Sequence, residues 1–439
     1  MDFLFIIAVV LFLYSRTWNY NLLIDDNVKR DRLLWDITTK RIDHSFYDQK
    51  RTLLSVVENI TVLTGSCFVL YFKFGFWPAL LYAVFPVNVS SAAWVTGGFY
   101  QTTVFLTLTA DYLLGMDNFV WHIIAGIIYW GALESTVSAI PYALIAPVLY
   151  WPHGLIALVP LIFFLTGKRF NHALKIRKAR HDEMAVESGE LKLDRFYVVF
   201  KVIGYYLRLV LFPDKLGFFH SFGNIERNRG VLAKATPWFF VSLTAVMIVG
   251  YISYQVSPWC FFWMSLIIIH SQYTTYGQFV TERYTFLFNA GFVVFISLII
   301  HDPIIKAVIA TLYFCRSLSY IPNWRNIEAL FIYSMTQFPE APENHVNYAS
   351  RLIEKKRWLE AIKPLQMALK VVTGDKSAMY TDLACCFAKC QIYDKALAYT
   401  QEAMKTCTKD KFEDLKSQAW DLMEKVRRTH RLRKQLASA

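Results

Sequence analysis

The sequence predicts an all-α membrane protein with about ten to twelve transmembrane spans and a C-terminal domain of helical repeats. Three observations support this fold class: the composition, the order of the apolar runs, and a repeated helical unit near the C-terminus. Hydrophobic residues make up 55% of the 439 residues, aromatic residues 17% and charged residues only 18%. Because a soluble domain carries about 25% charged residues, this composition excludes an ordinary soluble enzyme and a disordered chain.

The apolar runs begin at Phe3 and end near Tyr320. An apolar helix of about 17–25 residues crosses the ~30 Å hydrocarbon core of a bilayer, and prolines inside it are tolerated because neighbouring helices satisfy the freed backbone groups. Since no basic segment precedes the first run and no clear cleavage site follows it, we expect an uncleaved anchor rather than a signal peptide. The predicted spans are 2–15, 54–73, 77–96, 101–115, 118–132, 136–151, 153–167, 196–212, 237–255, 257–275, 285–301 and 303–319.

The charged loops give conflicting evidence on orientation. The positive-inside rule assigns the segment Lys168–Arg180 to the cytoplasm, and the loop after the first span is basic as well, with Arg16, Lys29 and Arg30. Counting every span from a cytoplasmic N-terminus, however, places 168–195 outside. Either one short run does not cross the membrane, or the charge rule does not hold for this chain.

Composition and motifs argue against several other functions. The net charge of +12 is explained by contact with anionic lipid headgroups, so we expect no nucleic-acid partner. The seven cysteines form no CxxC pair and have no histidine at zinc-ligand spacing, which predicts neither a disulfide framework nor a zinc site. The sequence contains no Walker loop, no GxGxxG and no GxSxG. Sequons at Asn59 and Asn88 lie in or beside apolar runs, and we discount both.

Two units near the C-terminus repeat one helical pattern. They are 358–375 (WLEAIKPLQMALKVVTGD) and 393–410 (YDKALAYTQEAMKTCTKD), with Trp358 aligned to Tyr393. Alanines at equivalent positions allow each helix to pack closely against the helix before it. The pattern resembles the tetratricopeptide repeat (TPR), and an irregular helical hairpin is the alternative. We therefore predict a membrane domain over 1–320 and a TPR-like domain over 321–439.

Two adjacent carboxylates, Asp25 and Asp26, follow the first span in RTWNYNLLIDDNVKRD. Charged groups beside a span are costly and are for that reason candidates for a functional site. One carboxylate can act as general base toward an acceptor hydroxyl, while the other orients it or binds a divalent cation such as Mg²⁺ or Mn²⁺. A helix N-cap or a solvated loop is the structural alternative.

Other ionisable residues lie in or next to the spans: Asp111, Glu134, Arg208, Glu282 and Arg283. Arg283 begins a span, where its planar guanidinium can give a phosphate two parallel hydrogen bonds. Snorkelling of this side chain to the interface is the alternative. The histidines are scattered and form no HExxH pattern, so we expect no metal site built from them.

The order of these features resembles the transmembrane-and-TPR-containing (TMTC-like) O-glycosyltransferases, which belong to the GT-C class of membrane glycosyltransferases. LFLYSRTWNYNLLIDDN is similar to the first-span block that ends in an Asp-Asp pair. LLYAVFPVNVSSAAWVTGGF is similar to the second block, although Phe85 stands where His usually precedes the proline. ALESTVSAIPYALIAPVLY is similar to the Lys-Glu block, with Leu133 in the place of Lys and Glu134 retained. YYLRLVLFPDKLGFFHSF and TERYTFLFNAGF are similar to the later blocks.

The resemblance implies transfer of a sugar from a polyprenyl-phosphate carrier (dolichyl- or undecaprenyl-phosphate) to an acceptor hydroxyl at the non-cytoplasmic face, with inversion. It implies a multi-pass enzyme of a bacterial inner membrane or an endoplasmic reticulum membrane, and a protein acceptor held by the TPR-like domain. The site residues that it implies are Asp25 and Asp26 as catalytic residues, Arg283 and Arg208 as ligands of the donor phosphate, and Glu134, Glu282 and Tyr284 as supporting residues.

Three alternatives stay open at this stage. An oligosaccharide ligase of the same class would use a diphosphate-linked glycan instead of a monophosphate-linked sugar. A non-catalytic scaffold would use the spans only to anchor the repeats and present them to a protein partner. A transporter would be expected to show inverted repeats and broken helices, and the sequence shows no such internal symmetry.

Overall fold

The computed structural model describes residues 2–21, 53–94, 97–167, 195–220, 234–268, 280–372, 376–406, 416–417, 420–425 and 427–429. Within these ranges the regular secondary structure is helical and there is no β-strand, which confirms the predicted all-α class. The α-helices are α1 Asp2–Tyr14, α2 Leu53–Phe74, α3 Phe76–Val84, α4 Val89–Ala92, α5 Gly98–Leu114, α6 Phe119–Ser135, α7 Tyr142–Leu149, α8 Leu158–Thr166, α9 Arg195–Leu211, α10 Pro237–Val256, α11 Pro258–Ser265, α12 Phe286–Ile299, α13 Pro303–Tyr320, α14 Ile327–Gln337, α15 Pro342–Glu354, α16 Trp358–Val371, α17 Ser377–Lys389 and α18 Tyr393–Thr406. Short 3₁₀ segments at Ser15–Asn19, Pro86–Asn88, Val137–Ala139, His153–Ala157, Glu282–Thr285 and Ile321–Arg325 extend or connect them.

Five helical stretches in the described part of the chain are long and apolar enough to cross a membrane. They are Asp2–Asn19, Val56–Phe74, Pro237–Val256, Glu282–Ile299 and Pro303–Arg325. Phe119–Ser135, Val137–Leu149 and His153–Thr166 are apolar but shorter. These helices are compatible with membrane association, while the span count of the sequence analysis stays a prediction.

The predicted span 77–96 is not one continuous helix in the structure. Helix α3 ends at Val84, a 3₁₀ turn follows at Pro86–Asn88, and α4 is a single turn that ends at Ala92. Pro86 has no N–H to donate, and it disfavours the helical conformation in Phe85 before it, whose ψ is 118°. The break is buried among other helices, which is where a membrane protein tolerates irregular backbone.

The two ends of the helical bundle are defined by contacts between distant segments. Helix α12 leads away from Glu282 and α13 returns to Tyr320, whose hydroxyl donates to Glu282 Oε2 at 3.0 Å. The N–H of Asn21, just after the first helix, donates to the carbonyl of Arg325 at 2.8 Å. The first helix therefore ends where the C-terminal helices begin. We call this the Arg283 end of the bundle, and the opposite end, which contains Asp111, the Asp111 end.

The apolar core of the bundle continues into the first C-terminal helix. One cluster of buried residues extends from Ile6 to Ala341, and it includes Leu330 and Phe331 of α14, both 0% exposed. A second cluster covers the later C-terminal helices, from Ala349 to Leu422. Helix α14 thus packs against the bundle, and α15 is the first helix whose side chains take part in the second core.

The C-terminal helices stack in chain order. Each helix from α14 to α18 contacts the next one, and the alanines of the predicted repeat, Ala361, Ala368, Ala396 and Ala403, are all 0% exposed. Their small side chains permit the close approach of neighbouring helices. These buried positions support the predicted repeat pattern, whose assignment as a TPR stays a prediction.

The repeat period also appears in the backbone. Lys356 and Gln391 adopt the left-handed backbone conformation, with φ of 59° and 61°. The interval between them is the same as the interval between Trp358 and Tyr393. Each closes the same helix C-terminal motif, in which Arg357 N–H bonds to Leu352 O at 2.8 Å and Ile392 N–H to Phe387 O at 2.9 Å. This is the Schellman arrangement. The two helical hairpins consequently turn in the same way.

A β-branched residue at Gln391 is expected to destabilise the C-terminal helices. The left-handed conformation costs an L-residue roughly 1–2 kcal/mol, and a β-branched side chain suits it least. Gln391→Val should therefore unfold about 1–2 kcal/mol more easily than Gln391→Gly, measured by pulse proteolysis of the full chain in denaturant. Lys363→Val, on the exposed face of α16, is the control and should change stability by less than about 0.7 kcal/mol. Equal stability of the Val and Gly variants would contradict the proposed strain.

Burial raises the pKa of Asp382 in α17 above its ordinary value. The folded chain then favours the protonated carboxyl, so the ionised group weakens the fold once the pH is above the raised pKa. We expect Asp382→Asn to be more stable than the wild type at pH 7. This advantage should disappear as the pH falls below the ordinary aspartate pKa, where both states are protonated. Denaturation midpoints of the two proteins across this pH range give the measurement, and an advantage independent of pH would contradict the assignment to the charge.

Candidate functional site

Arg283 lies half-buried among aromatic rings at the Arg283 end of the bundle. Its guanidinium carbon is 4.9 Å from the ring centroid of Phe218, 5.4 Å from that of Tyr284 and 5.5 Å from that of Trp94. Rings at these distances attract the cation and fix the plane of its fork of N–H donors. Tyr284, predicted as a supporting residue, takes part in this arrangement.

The rings around Arg283 pack against the segment that immediately precedes the C-terminal helices. Trp94 and Phe218 are 5.5 Å apart, and both pack on Trp324, at 6.5 Å and 6.0 Å. Trp324 is 1% exposed and precedes α14. The second block, the two later blocks and the start of the repeat region therefore meet around one arginine. The order of these segments in the sequence does not reveal this contact.

Glu282 is 2% exposed and has several polar neighbours. Its Oε1 accepts the N–H of Gly217 at 2.5 Å, and its Oε2 accepts the hydroxyl of Tyr320 at 3.0 Å. His220 Nε2 lies 3.4 Å from Oε1, and His220 Nδ1 is 3.1 Å from the hydroxyl of Tyr205. The carboxylate thus joins three segments and positions the backbone next to Arg283.

The second predicted phosphate ligand, Arg208, has a different environment. Its guanidinium forms a 2.7 Å ion pair with Asp214. Both side chains are partly exposed, at 35% and 55%. Since a carboxylate already neutralises Arg208, this side chain is less suited to bind an incoming phosphate.

Glu134 lies near the C-terminal end of α6, half-buried, and its Oε1 accepts the indole N–H of Trp130 at 3.3 Å.

The two positions at which the sequence differs from the motifs that it resembles are buried in the core. Leu133 is 1% exposed and Phe85 is 0% exposed, with the Phe85 ring 5.1 Å from that of Tyr313. Neither position presents a polar group to a substrate.

Asp25 and Asp26 lie outside the described residues. The last described residue before them, Asn21, is hydrogen bonded to Arg325 at the Arg283 end. Among the described residues, no group of three or more His, Cys, Asp or Glu side chains could hold a metal ion. A divalent cation at the Asp25-Asp26 pair stays a prediction.

Two charged residues that the sequence analysis did not select make several polar contacts. Arg316 of α13 donates to the carbonyls of Pro213 and Asp214 at 2.9 Å and 2.8 Å, and to the hydroxyl of Tyr333 at 2.9 Å. It thereby connects the segment after α9 to the first C-terminal helix. Lys73, at the other end, is bonded to the buried carboxylate of Asp111. In the sequence, each of these two residues is a single charge near the end of an apolar helix, and this feature could have identified both as candidates.

The discounted sequons are buried. Asn59 is 3% exposed and Asn88 is 0% exposed. Asn59 Nδ2 donates to the carbonyl of Trp94 at 3.0 Å, and Asn88 Nδ2 donates to that of Tyr82 at 3.0 Å. In the folded chain both amides are engaged in packing and are closed to a glycosylating enzyme.

No family model, no curated protein and no solved structure matches the chain. The fold and the composition define the class on their own: a helical protein whose described part has five stretches suited to a bilayer and an arginine at the bundle end from which the C-terminal helices extend. The glycosyltransferase family stays a resemblance of motifs and their order.

Proposed function

We propose that the chain is a GT-C-type membrane glycosyltransferase that moves a sugar from a polyprenyl-phosphate donor to an acceptor hydroxyl, on a protein held by the TPR-like helices. The observation that supports it best is the meeting of separate motif segments at the Arg283 end. Trp94, Phe218 and Tyr284 surround Arg283, and Trp324 joins this cluster to the C-terminal helices.

The chemistry needs a base and a group that stabilises the leaving phosphate. The acceptor oxygen forms a bond to the anomeric carbon while the bond from that carbon to the phosphate oxygen breaks. The hydroxyl proton passes to Asp25 or Asp26, and the bonding electrons leave with the phosphate, whose charge Arg283 stabilises through its N–H donors. A single displacement from the opposite side inverts the anomeric centre.

The arrangement of the chain supports a common location for donor and acceptor sites. The C-terminal helices begin beside Glu282, through the bond from Tyr320. Asn21 is held at the same end, and Asp25 follows it four residues later in the sequence. A protein bound along the C-terminal helices would be close to the arginine, which raises its effective concentration at the site.

The side of the membrane is assigned by the chemistry of the donor. A polyprenyl carrier serves to present a sugar where nucleotide sugars are not available, so we place the Arg283 end on the non-cytoplasmic face. The basic segment Lys168–Arg180 argues for the cytoplasmic face under the positive-inside rule. Labelling of Arg325→Cys with an impermeant maleimide in intact cells distinguishes the two, and the label is expected to react from outside the cytoplasm.

Replacement of Arg283 tests the phosphate assignment directly. Charge-assisted hydrogen bonds contribute about 1.5–3 kcal/mol each, so Arg283→Gln should lower the initial rate of transfer from a radiolabelled polyprenyl-phosphate sugar about 10–100-fold. Arg208→Gln, whose partner is Asp214, is the matched control and should change the rate less than about threefold. The reverse order of effects would reassign the phosphate site.

The same membranes distinguish the alternatives. Wild-type membranes supplied with monophosphate-linked sugars should label an acceptor, while diphosphate-linked glycans should not. Transfer from the diphosphate-linked glycan alone would support an oligosaccharide ligase. No transfer from either carrier, together with peptide binding by the chain, would support a membrane scaffold.

A further inference from the structure

Helix α9, Arg195–Leu211, was predicted to be a membrane span, but both of its ends contact the Arg283 end of the bundle. At its beginning, the rings of Phe196 and Tyr197 pack on Phe239, with centroids 5.7 Å and 4.9 Å apart. Phe239 lies in the first turn of α10, Pro237–Val256. The position of this turn therefore fixes where α9 begins.

The first turn of α10 lies far from the Asp111 end. Helix α10 has 20 residues, which corresponds to about 30 Å. It leads directly into α11, where the indole N–H of Trp259 donates to Asp111 Oδ2 at 2.7 Å. The end of α10 is thus at the Asp111 end, and Phe239 is close to the opposite one.

The second half of α9 contacts residues close to Arg283. The hydroxyl of Tyr206 accepts the N–H of Thr281 at 3.4 Å, and Thr281 precedes Glu282. The carbonyl of Val210 accepts the hydroxyl of Tyr313 at 3.3 Å. Arg316, about one turn before Tyr320, donates to the carbonyl of Pro213. The helix starts and finishes within the same layer of the molecule.

The length of α9 agrees with this location. Its 17 residues correspond to about 25 Å, at the lower limit for a helix that crosses the ~30 Å hydrocarbon core. It carries Arg195 and Arg208, which an interfacial helix accommodates more easily than a crossing one, and Lys201 between them is buried within the protein.

We infer that α9 lies in the membrane interface at the Arg283 end, does not cross the bilayer, and contacts lipid through the apolar side chains at its two ends. These side chains are Phe196 at its beginning and Leu211 and the following Phe212 at its end, which are 55%, 40% and 66% exposed, while the residues between them are buried or half-buried. Phe196 packs on Phe239, next to Phe240 and Val241, which are 57% and 58% exposed. Since α10 is one of the membrane-length helices, the occupant of these apolar ends is the acyl region of the bilayer, with the Arg208–Asp214 pair near the headgroups.

Helix α8 agrees with this placement of the beginning of α9. It runs in the same direction as α6, because His153 stacks on His122 at 4.2 Å and Ile156 lies against Gly126. It therefore leads to the Arg283 end, where α9 also begins.

Side-specific cysteine labelling of the full chain in sealed vesicles tests the inference. The test residues flank α9: Thr166→Cys before it and Lys215→Cys after it, both exposed, in a background where the exposed Cys315 and Cys385 are replaced by Ser. An impermeant maleimide should modify both from the same side. The matched control pair flanks α13, where His301→Cys and Arg325→Cys should react from opposite sides. Opposite labelling of Thr166→Cys and Lys215→Cys would show that α9 crosses.

Spin labels test the lipid contact, and they report it whether or not the protein transfers sugar. Labels at Phe196→Cys and Phe212→Cys should both show a shallow depth, with access to oxygen and to a polar relaxation agent. A label at Met247→Cys, 64% exposed in the middle of α10, should be deeper and closed to the polar agent. Labels on α9 as accessible to the polar agent as one at Lys234→Cys would overturn the lipid assignment.

Discussion

Replacement of both carboxylates, Asp25→Asn with Asp26→Asn, is expected to lower sugar transfer about 10²–10⁴-fold, the contribution typical of a positioned general base. The phosphate is a good leaving group whose charge Arg283 would stabilise, and the other requirement is removal of the proton from a weak alcohol nucleophile. An asparagine keeps the size and the hydrogen bonding of the side chain but cannot accept the proton. The measurement is the initial rate of transfer from a radiolabelled polyprenyl-phosphate sugar in membranes.

Two controls separate catalysis from folding in this experiment. Asp117→Asn, an exposed aspartate at the Asp111 end, should leave the rate unchanged. The level of the double variant in the membrane, measured by immunoblot, should equal that of the wild type. Transfer at the wild-type rate would remove the pair from the mechanism. A loss of transfer that excess Mg²⁺ or Mn²⁺ partly restores would assign the pair to cation binding.

Asp111→Ala is expected to reduce the free energy of unfolding by about 3–5 kcal/mol, because it leaves a partly buried lysine without its counter-charge. The Asp111 side chain is 0% exposed, and its carboxylate is bonded to Lys73 of α2. It also accepts the hydroxyl of Tyr142 at 2.8 Å and the indole N–H of Trp259 at 2.7 Å. Helices α2, α5, α7 and α11 all depend on this one group.

The detergent-solubilised full chain provides the measurement, as the midpoint of thermal unfolding. Asp117→Ala is the matched control, since this aspartate is exposed, and it should change stability by less than about 0.5 kcal/mol. Lys73→Met combined with Asp111→Leu should be less destabilising than Asp111→Leu alone, because no unpaired charge remains. If the double variant were no better than the single one, the ion pair would not be the source of the effect.

Much of the helical fold could be predicted from the sequence because apolar runs and their breaks are local signals. Long uninterrupted runs, such as those of α2, α10 and α13, were placed within a few residues. The helix break within 77–96 lies where Pro86 interrupts a run that is apolar on both sides, and hydrophobicity alone does not reveal such a break. In the C-terminal helices the 35-residue interval was visible because the same buried alanines recur in each unit.

The candidate site was only partly predictable. The sequence indicated Glu282, Arg283 and Tyr284 as a polar cluster at the start of a span, and in the structure they lie where the C-terminal helices begin. Arg208 was the weaker candidate for the phosphate, and in the structure it forms an ion pair with Asp214. His220 and Arg316 were overlooked because a single polar residue in an apolar segment does not identify its partner.

The sequence by itself determined that the chain is helical, where its apolar segments lie, and that its C-terminal part repeats. Each of these properties depends on residues within one or two helical turns of each other. Only the tertiary structure decided that Asp111 meets Lys73 and Trp259, that Arg283 is surrounded by rings from three segments, and that α9 returns to the end where it begins. Apolar helices offer one another similar surfaces, so the choice of neighbours is made by shape and by a few polar contacts between distant positions.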